Sequence, residues 1–299
     1  MQILLCGAFD AGERELWQAA LATAWPAGHW LTLDQARAAP ETVRAAVVAN
    51  PAPGSLQGLP NLGLVQSLWA GVERLVLDPT LPPDVPLARM VDPLMSAAMA
   101  ETALWAVLSL QRDFFDYARQ QRARQWLQHP QRRADELRVL VLGQGEMGGA
   151  VVRRLRAHGS VVSGWRRGQD LAALLPVHDV VINLLPLTPA TRGLLDAAFF
   201  AALPHGASLV NLARGAHVVD ADLLAALDSG QLRHAVLDVF SPEPLAADHA
   251  FWWHPQVTVL PHVAAATDAR SAAAVVAGNL QALAEGTPLA HQVDRARGY

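Results

Sequence analysis

The sequence predicts an α/β fold of two parallel, doubly wound sheets joined by long helices, on three observations. Short apolar runs closed by Gly, Pro, Asn or Asp alternate with helical stretches through the first hundred residues. A Pro-rich patch, DPTLPPDVP (78–86), ends that series, and a long apolar helical stretch follows. A second alternating series begins at Leu137 and runs to Pro261. Strands separated by helices pair in parallel, and helices cover both faces of such a sheet.

In the first series QILLCG, HWLTL, RAAVVAN and LGLVQSL are the expected strands. ERELWQAALATAW and the region after Pro40 are the expected helices between them. Ser96 to about Leu127 reads as one helix, roughly 45 Å long at ~1.5 Å per residue. It is apolar on more than one side, with Leu104, Trp105, Leu108 and Phe115 on one and Met99, Ala103, Val107, Leu110 and Phe114 on others. Such a helix suits packing between two domains, and equally a subunit interface. HPQRRADE (129–136) is the best linker before the second series. There LRVLVLG, SVVSGW, DVVINLL, ASLVNL, HAVLDVF and QVTVLP are the strands, and SAAAVVAGNLQALAEG is a closing helix.

Composition narrows the function. The 299 residues are 52% hydrophobic with a net charge of −4, which suits two globular domains and disfavours nucleic acid, whose phosphates need clustered positive charge. All basic residues are Arg, so a Schiff-base or P-loop lysine is excluded. The single Cys6 forms no internal disulfide and is expected to be buried in the first strand. The N-terminus lacks a basic n-region, no apolar run approaches a membrane span of ~18 residues, and the expectation is a soluble cytoplasmic protein. His249 and His254, five apart, do not share a helical face, so no metal is expected.

The second series opens with VLVLGQGEMGGAVVRRL, in which Gly143, Gly145 and Gly148 form G-x-G-x-x-G between a strand and a helix. The first glycine permits a tight turn, the second lets a pyrophosphate approach the backbone, and the third allows close helix–strand packing. The next strand ends in Trp165, Arg166 and Arg167, where an NAD-binding unit carries an acid for the ribose 2′-hydroxyl. Two guanidinium groups suit a 2′-phosphate instead, so NADP is the expected cofactor and NAD a weaker one. Arg214, Glu243 and His262 each follow a predicted strand of the same sheet, at the edge where the glycine loop lies. An arginine to hold a carboxylate and polarise a carbonyl, a histidine to give a proton, and a carboxylate to orient that histidine and favour its charged form allow reduction of a 2-oxo acid.

The segments LVNLARGAHVVDADLLAALDSGQL, LDVFSPEPL, LPHVAAAT and QVDRARGY resemble the D-isomer-specific 2-hydroxyacid dehydrogenase family, and most of all its glyoxylate/hydroxypyruvate reductase A branch. The resemblance covers nearly the whole chain. It implies two Rossmann-like domains and a homodimer, with a substrate domain built from both chain ends (1–100 plus 264–299) and a cofactor domain at 101–263. It implies that Arg214 binds substrate, that Glu243 pairs with the acid/base His262, and that Asp238 touches the nicotinamide carboxamide. The cofactor set is then Gly143, Gly145, Glu146, Met147, Gly148, Trp165, Arg166, Arg167, Leu185, Pro186, Ala213 and Asp238. The loop Trp69–Ala70–Gly71–Val72 is implied to bind the substrate carboxylate through backbone N–H groups. Where the branch has a small glycine this chain has Trp69, and where it has a tryptophan near the substrate this chain offers Ala49. Glyoxylate and hydroxypyruvate are the expected substrates. Larger 2-oxo acids, or a cofactor-sensing protein related to transcriptional co-repressors, are the alternatives.

Overall fold

The computed structural model describes residues 1–299. The chain divides into two compact units, Met1–Leu94 with Thr267–Tyr299, and Met95–Ala266.

The first unit contains β1 (Gln2–Gly7), α1 (Ala11–Ala24), β2 (His29–Leu31), α2 (Leu33–Ala38), β3 (Val43–Ala49), β4 (Leu64–Ser67), α3 (Glu73–Val76) and β5 (Leu87–Ala88). All pairs are parallel, in the order β2-β1-β3-β4-β5. β3 is buried at six of its seven positions, as expected of a central strand covered on both faces. α1 starts where Asp10 and Glu13 form a capping box, each side chain taking a backbone N–H of the other. Burial pushes the Cys6 thiol of β1 up to about 11, so it sits as an inert thiol.

Two expectations fail here. The helix assigned after Pro40 lies before it, as α2, started by a Thr32–Gln35 capping box. Only a 3-10 turn, Pro40–Thr42, follows. Proline disfavours helical geometry at the residue before it, and Ala39 accordingly leaves the helix at φ −142°. The Pro-rich patch leads into an unforeseen edge strand, β5. It is only two residues long, pairing Val65 with Leu87 and Gln66 with Ala88.

The second unit is entered along α4 (Pro93–Gln111) and α5 (Phe114–Ala123), and continues with β6 (Arg138–Leu142), α6 (Glu146–His158), β7 (Val161–Trp165), β8 (Val180–Asn183), α7 (Ala197–Ala201), β9 (Ala207–Asn211), α8 (Asp220–Asp228), β10 (Leu232–Leu237) and β11 (Val257–Val259). The sheet is parallel, in the order β11-β10-β9-β8-β6-β7. The strand order reverses at β6, with β7 on one side and β8 on the other. Such a reversal leaves a crevice beyond the carboxyl ends of the strands.

The single long helix expected from Ser96 to Leu127 is instead two. Asp113 separates α4 from α5 in a left-handed conformation, φ 57°. Its buried carboxylate accepts from Arg233 and faces His129 Nδ1 at 3.4 Å, so an ionic anchor fixes the break. The stretch 129–136 is likewise no linker. His129 N–H donates to the Tyr117 hydroxyl at 3.0 Å, and the units part at Leu94–Met95 instead. Against expectation, α4 is long and apolar enough to cross a membrane, with 19 residues and a mean hydropathy of 1.3. Its Met99, Ala103, Val107 and Leu110 pack with Val139, Val151 and Leu155 in this unit's core, where an apolar helix is also at home.

The chain then returns to the first unit as α9 (Ala269–Glu285), which packs on α1. Buried Asn279 donates to Gln66 Oε1 at 2.6 Å and to the Ala290 carbonyl at 3.1 Å, while Ala290 N–H donates back to its Oδ1 at 2.8 Å. A β4 residue, α9 and the C-terminal tail are thus tied by one amide.

Candidate active site

The glycine loop after β6 has the shape of a phosphate cradle. Gly143 adopts φ +95°, and a Cβ there would stand 2.7 Å from the Leu184 carbonyl. A Cβ on Gly148 would stand 1.8 Å from the Gly143 carbonyl, so α6 starts against the loop at a distance only glycine permits. At Gly145 nothing lies within 4 Å, which leaves the backbone open to a ligand. Gly145 caps α6 without a side-chain hydrogen bond, so the first N–H groups of this 13-residue helix remain available to an anion. Glu146 and Met147 form the first turn. Gln144 folds back over β7, filling the space where a Cβ of Gly164 would be.

β7 delivers Trp165, Arg166 and Arg167 into a tight turn. Trp165 Nε1 donates to the Gln169 carbonyl at 3.0 Å, and Arg166 N–H donates to Gln169 Oε1 at 2.7 Å. Both arginines are exposed, and no carboxylate pairs with either. Two unneutralised guanidinium groups beside the crevice fit a phosphate dianion.

Adjacent strands β9, β10 and β11 bring the other candidates to the same edge. Arg214 follows β9, and its Nη1 donates to the Ala213 carbonyl at 2.7 Å. A Cβ on the next residue, Gly215, would lie 2.0 Å from the Phe240 backbone, so the loops after β9 and β10 press directly on each other. Glu243 lies in the second of these loops. Its Oε1 accepts the Phe240 N–H at 2.8 Å, and its Oε2 lies 2.8 Å from His262 Nδ1. The carboxylate accepts a hydrogen bond from Nδ1–H, which leaves Nε2 outside the pair, on a half-exposed ring. His262 itself adopts φ 56°, a left-handed conformation held by its N–H to the Asp238 carbonyl at 2.9 Å.

The buried carboxylate of Asp238 accepts the N–H groups of Val263 at 2.8 Å and Ala264 at 3.0 Å. Burial raises its pKa, and the two backbone donors oppose the shift. Both oxygens thus hold the turn that carries His262, a role beyond the implied contact to a carboxamide.

Residues unnoticed in the sequence support this edge from below. Asn183 and Asn211 end β8 and β9 fully buried, and His217 is fully buried beside them. Asn183 Nδ2 donates to Asn211 Oδ1 at 3.0 Å and lies 3.0 Å from His217 Nδ1. Asn211 Nδ2 donates to the Arg214 carbonyl at 3.0 Å, and His217 Nε2 lies 3.3 Å from the Pro186 carbonyl. Leu185 N–H donates to Asn183 Oδ1 at 3.2 Å. A clue was present: a lone Asn inside an apolar run, as in VVINLL and LVNL, must find partners once buried.

In the first unit the loop Trp69–Val72 follows β4. The Trp69 ring meets Trp17 of α1 edge-on at 6.1 Å, and its carbonyl accepts the Met90 N–H at 3.1 Å. The N–H groups of Ala70, Gly71 and Val72 make no backbone hydrogen bond, which leaves them suited to a carboxylate. Ala49 is 1% exposed, and a Cβ on Gly7 would come within 2.8 Å of its own. It is therefore a packing residue of β3. Asp113, Asp116 and His129 lie close enough to share a metal, but Arg233 donates to both carboxylates and Arg119 to Asp116. Those guanidinium groups already supply the positive charge.

The NAD-binding domain of the D-isomer specific 2-hydroxyacid dehydrogenases matches residues 104–264. A D-isomer specific 2-hydroxyacid dehydrogenase from Xanthobacter autotrophicus Py2, crystallised with NADPH and MES, is 39% identical over 100% of this chain and 99% of its own, with a TM-score of 0.93. An NADPH-dependent glyoxylate/hydroxypyruvate reductase from Sinorhizobium meliloti, in complex with NADP and sulfate, is 34% identical over 100% and 99%, with a TM-score of 0.91. A probable 2-hydroxyacid dehydrogenase from Rhizobium etli CFN 42, holding NADP, HEPES and L(+)-tartaric acid, is 29% identical over 100% and 99%, also with a TM-score of 0.91.

Proposed function

The chain belongs to the D-isomer specific 2-hydroxyacid dehydrogenase family, and on that premise we propose that it reduces small 2-oxo acids, glyoxylate and hydroxypyruvate first, with NADPH. The observation that carries this is the Glu243–His262 pair on the same sheet edge as an open glycine cradle. NADPH, when bound, supplies the hydride that adds to the carbonyl carbon. The chain's own residues do the rest. Arg214 holds the substrate carboxylate and draws charge towards the carbonyl oxygen. His262 Nε2 gives that oxygen its proton, while Glu243, accepting from Nδ1, keeps the ring aimed. The alkoxide is thereby neutralised as it forms, and a 2-hydroxy acid leaves.

The cradle and the unpaired Arg166–Arg167 support NADPH over NADH, with NADH as a weaker cofactor. The acceptor-free N–H groups at Ala70–Val72 support a carboxylate on the first unit's loop. Apolar side chains exposed on the second unit, Trp126 at 95% and Leu127 at 61%, support a homodimer. A panel of 2-oxo acids assayed with NADPH at the nicotinamide absorbance tests the substrate. Glyoxylate and hydroxypyruvate should lead in kcat/KM, with lesser activity on pyruvate or phenylpyruvate, because an apolar pocket discriminates by only ~1–3 kcal/mol per methylene. A branched or aromatic oxo acid ahead by tenfold overturns the assignment.

A further inference from the structure

His217 is fully buried and takes no part in the proposed proton transfer, yet its ring stands where three polar segments meet. Nδ1 lies 3.0 Å from Asn183 Nδ2 and 3.1 Å from the Arg214 carbonyl, and Nε2 lies 3.3 Å from the Pro186 carbonyl. The neighbours decide the tautomer. Asn183 Oδ1 accepts the Leu185 N–H at 3.2 Å, which fixes Nδ2 as the donating end of that amide. One Nδ2 hydrogen goes to Asn211 Oδ1 and the other points at His217 Nδ1. Nδ1 is then an acceptor, and the ring proton sits on Nε2, donated to Pro186. The Arg214 carbonyl needs no proton from the ring, since Asn211 Nδ2 donates to it at 3.0 Å and His217 N–H at 3.3 Å. A proton on Nδ1 would oppose the Asn183 donor and leave the Pro186 carbonyl facing a bare nitrogen.

We infer that His217, as the Nε2–H tautomer, is a positioning residue that sets the Leu185–Pro186 segment and the Arg214 loop relative to each other. One ring nitrogen holds the proposed cofactor segment, and the other backs the Asn183–Asn211 amide pair that grips the Arg214 backbone. The second unit's cofactor and substrate functions are thereby mechanically joined through one side chain. The inference rests on the proposed roles of Pro186 and Arg214.

Two substitutions separate the ring's two halves. His217→Gln can still donate to the Pro186 carbonyl but loses the acceptor for Asn183. His217→Asn can still accept from Asn183 but no longer reaches Pro186. With folding verified by thermal melts, the Gln variant should raise KM for glyoxylate and lower kcat about tenfold, the size of one lost buried hydrogen bond, at unchanged NADPH affinity by nicotinamide fluorescence. The Asn variant should weaken NADPH binding about tenfold while the glyoxylate KM stays put. If both variants lose activity only in proportion to lost stability, or both keep wild-type constants, the positioning role is wrong. A wild-type protein that neither binds NADPH nor reduces any 2-oxo acid would instead sink the functional assignment beneath it.

Discussion

Arg166 and Arg167 owe their availability to a turn closed by Gln169 rather than by an acid, so their charge is uncommitted. Replacing both with Ala should raise KM for NADPH by tenfold or more, since a charge-assisted hydrogen bond is worth ~1.5–3 kcal/mol, and should leave NADH within about twofold. The NADPH preference should also shrink with salt, because both groups are exposed. Retained preference in steady-state kinetics would place the phosphate elsewhere. Glu243→Gln keeps an oxygen for the Phe240 N–H but turns its amide nitrogen, a donor, towards His262 Nδ1 and so loses the acceptor that aims the ring. Its kcat should fall about 10-fold with NADPH affinity intact, whereas His262→Ala should cost ~10²–10⁴ in kcat. Equal kcat in wild type and the glutamine variant removes Glu243 from the reaction. Ala49 carries the opposite lesson. Buried against Gly7, it has no room for the indole that the resemblance suggested, so Ala49→Trp should lower the unfolding midpoint by a core-overpacking cost of ~1–3 kcal/mol or more rather than reshape specificity.

The break between α4 and α5 illustrates what could be seen in advance and what could not. Ten of the eleven strands follow from apolar runs punctuated by Gly, Pro, Asn or Asp, because burial on both faces leaves a plain mark in sequence. Around Arg112–Asp113–Phe114 there is no glycine or proline to signal a stop. The stop comes from Arg233, 120 residues away in β10, which no local pattern contains. The site divides in the same way. Arg214, Glu243 and His262 stand out at strand ends, while His217 hides because its partners are assembled only when β8 and β9 pair. β10 also carries His234, stacked on Phe115 of α5 at 4.3 Å and 2.9 Å from Thr258 Oγ1. Burial pushes its pKa from 6.5 down to about 4. The unfolded chain therefore binds the proton first, and stability contributed by the neutral ring is lost as pH falls from about 6.5 towards about 4. At ~1.4 kcal/mol per pKa unit the loss is on the order of 3 kcal/mol. Urea midpoints at pH 7 and 4.5 should converge in His234→Gln relative to wild type; an unchanged difference would show that other groups govern the acid limb.

The two units differ in how the chain builds them. Met95–Ala266 is one continuous stretch, whereas the first unit needs Thr267–Tyr299 to supply α9 and the tail that Asn279 ties to Gln66. A fragment ending at Ala266 should therefore keep a protease-resistant second unit and lose the first; equal resistance of both would refute this. The proposed homodimer is tested by light scattering, where Trp126→Ser with Leu127→Ser should shift the mass towards the monomer. The discontinuity also sets an order of events on the ribosome. The first 94 residues emerge early but lack the helix that covers α1 until Glu285 has been made, roughly 190 residues later. At ~5–20 residues per second that is a wait of roughly 10–40 s, with apolar surface open to chaperones or to neighbouring nascent chains. The first unit, begun before the second, is thus completed only after it.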